Sequence, residues 1–197
     1  MLMAYVEGND EKLIEALLEE KLNIDSSTFE IKKLGGGMSS LLQVPQQIRE
    51  NMDNGDKVTV ILDADSPPHA GFTNVCQALE DFKNDENLEF EYFLLPNHHD
   101  DGNLEDLLEQ MINVNHQALF NCFDAYVNCL QVNNTGNFHL PVKKTKIYAY
   151  VDTLTPNNRK KYLKKGDYQF KDVHYWNLNS DSINGLVNFL ENQIEDL

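Results

Sequence analysis

Acidic side chains follow two of the most apolar segments of the chain. Glu7 comes directly after the run LMAYV at 2–6, and Asp63 and Asp65 follow the run KVTVIL at 57–62. Short apolar runs of this kind predict buried strands, and ligands of parallel α/β sheets gather at the carboxyl ends of the strands. Alternate residues of a strand point to one side, so both aspartates are expected to face one ligand. A hard cation, Mg²⁺ or Mn²⁺, would neutralise this carboxylate cluster.

A second interpretation of the two aspartates is that they only cap the helix that follows, and the glutamate after the first strand weakens it. The rest of the chain supplies the expected scaffold. Strands are predicted at 2–6, around 29–33, at 57–62 and at 88–95. Helices are predicted at 10–21, at 71–83, from 104, and within 39–53, where the helix is expected to start at or just before Pro45. Alternating strands and helices predict an α/β fold with a mostly parallel four-stranded sheet flanked by helices.

Beyond residue 113 the pattern becomes helical. A stripe of apolar residues at helical spacing covers 115–131, and a C-terminal helix is expected at about 181–194. We therefore predict a core at 1–113 and a helical C-terminal extension at 114–197 packed on it. Cys122 and Cys129 lie seven residues apart on a neighbouring helix face, a spacing that favours packing in the core over reactivity.

The charge of the chain is strongly negative and unevenly distributed. The formal net charge of −16 disfavours non-specific binding of nucleic acid by the whole surface. Residues 143–171, however, hold nine basic residues against two acidic ones, a net of +7 that leaves −23 for the remainder. This stretch could hold a phosphate backbone, or it could be a solvated lysine-rich face. The candidate nucleic-acid contacts are Lys12, Lys143, Lys144, Lys160 and Lys161.

Several classes of protein are disfavoured by composition. No apolar run approaches the roughly 20 residues that span a bilayer, and the first residues contain no basic leader. Cys76, Cys122 and Cys129 are scattered without a C-x-x-C pair, which argues against a disulfide framework and against a zinc site. We expect a cytoplasmic protein that does not bind membranes.

Two longer motifs carry a resemblance to a known family. The run VEGNDEK at 6–12 together with ILDAD at 61–65 resembles the Toprim signature of topoisomerases, bacterial primases and overcoming-lysogenization-defect nucleases. FLLP at 93–96 followed by DDGNLEDLLEQM at 100–111 extends the likeness. The tail is similar to that of small bacterial Toprim-related proteins of unknown function. The resemblance implies a Toprim-like fold and a magnesium-dependent acidic site.

The resemblance also implies roles for individual residues. Glu7 would be a general acid or base near the metal, and Asp63 and Asp65 would be metal ligands. Glu11 would serve a second ion, and Glu105 and Asp106, which open the next predicted helix, could reach the same pocket. An equally simple interpretation of these last three acids is that a helix dipole favours them in a first turn. The stiff segment Ser66-Pro67-Pro68-His69-Ala70 departs from the primase pattern and could alter access to the site.

Two further polar motifs have simpler interpretations. Gly35-Gly36-Gly37 precedes a predicted helix, where bare backbone N–H groups could face a phosphate, but it lacks the Gly-Lys-Ser/Thr ending of a P-loop. A flexible turn is favoured there. His98 and His99 are adjacent and point in different directions, which favours a polar loop over a metal site. Either histidine could carry a proton or contact a phosphate if that loop closes over the acids.

The sequence thus predicts divalent-metal-dependent cleavage of phosphodiester bonds in nucleic acid, as in a nuclease. The alternative is a non-catalytic Toprim-like module that binds metal, nucleotide or a protein partner. The sequence leaves open whether the chain is an enzyme and what its oligomeric state is.

Overall fold

The computed structural model describes residues 1–8, 10–68, 70–134, 136, 138–157 and 168–195. The predicted basic stretch is described only in part, because Lys160 and Lys161 lie outside these residues.

The centre of the fold is a sheet of four strands. They are β1 (Leu2–Glu7), β2 (Phe29–Leu34), β3 (Lys57–Asp63) and β4 (Glu91–Leu95), in the order β2-β1-β3-β4. Every neighbouring pair is parallel. β1 and β3 are the central strands and are buried along almost their whole length, as their apolar, β-branched sequences predict. The α/β class and the four-stranded parallel sheet are therefore confirmed.

Helices connect the strands and cover the sheet. α1 (Asp10–Ala16) continues into a π-helical turn at Leu17–Lys21. The others are α2 (Gly37–Leu41), α3 (Pro45–Asp53), α4 (Phe72–Glu86), α5 (Leu104–Met111), α6 (Gln117–Asn133), α7 (Lys143–Leu154) and α8 (Asn184–Ile194). Proline opens α3, as predicted for a residue that lacks a backbone N–H. The short helix α2 lies before it and was not predicted as a separate element.

The sheet separates two hydrophobic clusters. Alternate residues of β1 point to opposite faces, so that Leu2, Ala4 and Val6 join one cluster and Met3 and Tyr5 join the other. The first cluster also contains residues of α1, α5, α7 and α8, and Trp176 from the segment before α8. The elements after residue 113 therefore share a core with the sheet and cover one of its faces.

Helix α6 differs from its predicted environment. Phe120 is its one fully buried residue, although a long apolar stripe was predicted there. Cys122 and Cys129 are both exposed, so the prediction that they pack in the core is wrong. The periodicity of a helix predicts an apolar face, but not whether another element covers that face. Among the described residues, no helix has both the length and the apolar character required to cross a membrane.

Candidate functional site

The carboxyl ends of β1 and β3 lie side by side because the two strands are parallel neighbours. Their last residues, Glu7 and Asp63, therefore meet at one edge of the sheet. A cavity of about 200 Å³ opens there. Its lining combines four acidic residues with one lysine, one tyrosine and small or apolar residues: Glu7, Gly8, Asp10, Gly35, Asp63, Leu104, Glu105, Lys144 and Tyr168.

Asp10, the first residue of α1, is the most deeply buried acid of this cavity. It is 3% exposed, and its Oδ2 atom has no hydrogen-bond partner. Burial raises its pKa well above the ordinary value, and the nearby carboxylates of Asp63, Glu7 and Glu105 raise that pKa further. Lys144 acts in the opposite direction. A buried carboxylate with a free oxygen atom needs a proton or a cation.

Asp63 lies between the end of β3 and the start of α5. Its Oδ1 atom accepts a hydrogen bond of 2.8 Å from the backbone N–H of Leu104. Burial raises the pKa of Asp63 to about 8, and the Glu7 carboxylate adds to this effect, while the hydrogen bond from Leu104 opposes it. The carboxyl group therefore exchanges its proton near neutral pH in the absence of a cation.

Glu7 reaches across from the neighbouring strand. Its Oε2 atom accepts a long hydrogen bond of 3.5 Å from the backbone N–H of Asp63. Within the described part of the chain, none of the cavity's four acids is within ion-pairing distance of a basic group. The acids are thus close enough to disturb one another's protonation and are not neutralised by lysine contacts.

The carboxylates are nevertheless not gathered on one point. Among the described residues, no group of three or more His, Cys, Asp or Glu side chains is arranged so that it could hold a metal ion. Carboxylates of like charge repel one another, and without a cation this repulsion keeps them apart. Magnesium or manganese binding therefore stays a prediction, and it requires the side chains to move together.

Asp65 does not line this cavity, contrary to the sequence prediction, although its charge is close enough to raise the pKa of Asp63. The strand ends at Asp63, and Asp65 has a left-handed backbone with φ of 56°. Its carbonyl oxygen accepts a hydrogen bond of 2.8 Å from Gly102 N–H, and the residue is exposed. The two-residue alternation of a strand no longer applies once the chain turns in this way.

Two other predicted ligands also lie away from the cavity lining. Asp106 caps the start of α5 together with Asn103, and its Oδ1 atom pairs with Lys143. Glu11 is partly exposed on α1, and its Oε1 atom lies 3.7 Å from the Nζ atom of Lys12. For both residues the simpler interpretation, an acid in the first turn of a helix, describes the structure better. Glu105, by contrast, lines the cavity as predicted.

The predicted nucleic-acid contacts divide into groups. Lys144 lines the cavity, whereas Lys143 forms an ion pair with Asp106 at the start of α5. Lys12 instead pairs with Glu15 at 2.6 Å, on the surface of α1. The positions of Lys160 and Lys161 are not described. Of the lysines in this stretch that the structure describes, Lys144 lines the acidic cavity.

Sequence reasoning missed Asp10 and Tyr168 as residues of the site. Asp10 was not singled out as a site residue, although it lies three residues after Glu7. Tyr168 is buried and lines the cavity. It is distant from Glu7 and Asp63 in the sequence and is not part of a recognisable motif, so no local pattern indicates its role. His98 was correctly interpreted as part of a polar loop, since its Nδ1 atom accepts a hydrogen bond from Leu94 N–H and its ring stacks on Phe93.

Comparison with known proteins places the chain in a family. The family model described as Protein of unknown function (DUF3226) matches residues 3–195. The chain belongs to this family. The match covers the acidic edge of the sheet and the helices after residue 113 of this DUF3226 protein. No curated protein and no solved structure is detectably similar to it. The resemblance to the Toprim signature stays a prediction.

Proposed function

We propose that this DUF3226 protein is a divalent-metal-dependent phosphodiesterase that cleaves nucleic acid in the cytoplasm. The observation that carries the proposal is the cavity at the carboxyl edge of the sheet. Asp10 and Asp63 lie there beside Glu7 without an ion-pair partner among the described residues, and Asp10 Oδ2 has no hydrogen-bond partner. The Toprim-like motifs around Glu7 and Asp63 support the same reaction.

The roles of the residues follow from their burial and position. Asp10 and Asp63 would hold Mg²⁺ or Mn²⁺, because hard cations prefer carboxylate oxygen atoms. When bound, the ion would polarise a phosphoryl oxygen and stabilise the charge that develops there. Glu7 would accept a proton from the attacking water as the water oxygen bonds to phosphorus and the bond to the leaving oxygen breaks. Glu105 would help to orient water molecules at the ion.

Lys144 would orient the phosphate group. It lines the cavity together with the acids, and Lys143 lies next to it in the same helical turn. A lysine ammonium binds phosphate as a point charge and does not demand a particular base. The cavity of about 200 Å³ has room for an ion and a phosphate group, so the bases would remain outside it.

A cleavage assay tests this proposal. Fluorescent single-stranded DNA, double-stranded DNA and RNA are incubated with the protein and Mg²⁺ or Mn²⁺. Asp63→Asn and Glu7→Gln should each lower the cleavage rate by about 100-fold or more. Asp53→Asn, on the exposed end of α3, is the matched control and should keep full activity. Cleavage that persists in Asp63→Asn at the wild-type rate would exclude this site.

The second candidate is a binding module without catalysis. The ion pair that Lys143 already makes with Asp106 favours it, because the charge of this lysine is then less available to a phosphate backbone. Such a module would bind metal or nucleotide through the same cavity. Wild-type protein that binds Mg²⁺ but cleaves none of the three substrates would favour this alternative.

A further inference from the structure

The three consecutive glycines after β2 differ in what surrounds them. A Cβ atom added to Gly37 would lie 2.9 Å from Oε2 of Glu7 and 3.4 Å from its Cδ. At Gly36 the nearest atom would be the Ser40 Oγ at 3.8 Å, and at Gly35 it would be the same atom at 3.7 Å. Within this loop, only Gly37 provides space for the carboxylate of Glu7.

The backbone itself does not explain glycine at position 37. Gly37 is the first residue of α2, and its φ lies outside the left-handed region that favours glycine. Glycine is also one of the least favourable residues in a helix, because it loses more backbone freedom than alanine. A Cβ atom would therefore be accepted by the helix backbone, and its three nearest contacts would all be with Glu7.

We propose that Gly37 is a positioning residue. Because it has no side chain, it leaves the space in which the Glu7 carboxylate lies at the edge of the sheet beside Asp63. Glu7 lies between two elements there, with Asp63 N–H on one side at 3.5 Å and the start of α2 on the other. A methyl group at position 37 would occupy the space of the Glu7 carboxylate and would turn this carboxylate away from the cavity. The inference rests on the proposed function, in which Glu7 accepts the proton of the attacking water.

The substitution Gly37→Ala tests the inference directly. The clash involves the far end of a flexible side chain, so Glu7 can rotate and the fold is preserved. We expect kcat of the metal-dependent cleavage to fall between about 10-fold and 100-fold, since small displacements of catalytic groups have effects of this size. KM should stay unchanged. The melting temperature should stay the same or rise, as for other Gly→Ala changes in a compatible backbone.

The matched control is Gly36→Ala. Gly36 has an extended backbone, with φ of −176°, which alanine adopts without strain. Its new methyl group would meet Ser40 at an ordinary contact distance, so we expect wild-type kcat. A second control combines Gly37→Ala with Glu7→Ala. If Gly37 acts only through Glu7, adding Gly37→Ala to Glu7→Ala changes nothing further.

Crystal structures of both alanine variants separate this inference from the proposed function. We expect the Glu7 carboxylate to be displaced in Gly37→Ala and unmoved in Gly36→Ala. A Glu7 that stays in place in Gly37→Ala overturns the inference, whatever the activity. A displaced Glu7 with wild-type kcat also overturns it. If the wild type neither binds metal nor cleaves nucleic acid, the proposed function fails, and the assigned role of Gly37 in catalysis fails with it.

Discussion

The acids on the outer helices and the acids at the sheet edge are arranged in opposite ways. On the helices, Lys171 bridges Glu15 and Glu19, and Lys146 bridges Glu109 and Asp124. At the sheet edge, Glu7, Asp10 and Asp63 share a cavity and have no such partner among the described residues. Both groups lie in the same strongly acidic chain, so net charge alone does not explain the difference.

This difference separates acids that form ion pairs on the surface from acids that are available to bind a ligand. Exposed ion pairs contribute between about 0 and 1 kcal/mol each and tolerate substitution. Buried carboxylates without a partner cost free energy. Proteins keep such unfavourable groups mainly where they bind or react with something. We therefore expect substitutions at the sheet edge to affect binding and pH dependence, and substitutions of the outer pairs to affect neither.

In the absence of divalent cations, the largest expected effect is the change of stability with pH. The pKa of Asp63 is raised from its ordinary 3.8 to about 8, so the folded state holds this proton more tightly than the unfolded state. The resulting stabilisation is complete below about pH 4 and is lost as the pH rises through 8. Without divalent cations, the free energy of unfolding should fall by about 1 kcal/mol between pH 7 and pH 9. Urea denaturation at both pH values measures this change.

The variant Asp63→Asn sharpens that measurement. It removes the titrating group and lowers the charge of the cavity, so its stability should depend less on pH and exceed that of the wild type at pH 9. The control Asp53→Asn should follow the wild type. If Asp63→Asn kept the full wild-type pH dependence of stability, the titration of Asp63 would not be its cause, and the contrast between the sheet edge and the outer helices would fail.

A smaller effect is expected from Lys144, the lysine that lines the cavity among the described residues. The positive charge of Lys144 lowers the pKa of Asp10, because it favours the ionised carboxylate. Replacing it by methionine removes a positive charge that competes with a cation. The dissociation constant for Mg²⁺ should therefore decrease roughly threefold, which corresponds to less than about 1 kcal/mol of binding free energy. Isothermal titration calorimetry measures this constant.

The matched control is Lys171→Met, which breaks the outer pairs with Glu15 and Glu19. Its Mg²⁺ affinity should equal that of the wild type. Equal changes in both variants would show that Lys144 acts only through the overall charge of the protein.

The sequence predicted the sheet and the two central acids for physical reasons. β1 and β3 are short apolar runs that bury both faces, and parallel pairing brings their carboxyl ends together. The cavity at Glu7 and Asp63 follows from these two facts. Asp65 could not be placed in the same way, because its position depends on a left-handed turn that periodicity does not encode.

The other errors came from contacts between distant parts of the chain. Asp106 pairs with Lys143, and Tyr168 reaches the cavity from beyond residue 157. Neither contact leaves a local signal in the sequence. Cys122 and Cys129 lie on a predicted helix, but their exposure depends on which neighbours cover that helix. Asp10 had a local signal, since it follows Glu7 by three residues at the start of a predicted helix.

Cation binding by the cavity is the central claim, and thermal unfolding with Mg²⁺ or Mn²⁺ at pH 8 tests it most directly. A cation that binds only the folded state stabilises it by about 2.7 kcal/mol at 100 times its dissociation constant. We expect the melting temperature of the wild type to rise by roughly 5 °C or more under that condition. Asp53→Asn should behave in the same way, and Asp63→Asn should show almost no rise. Equal rises in wild type and Asp63→Asn, or no rise in either, would contradict the account.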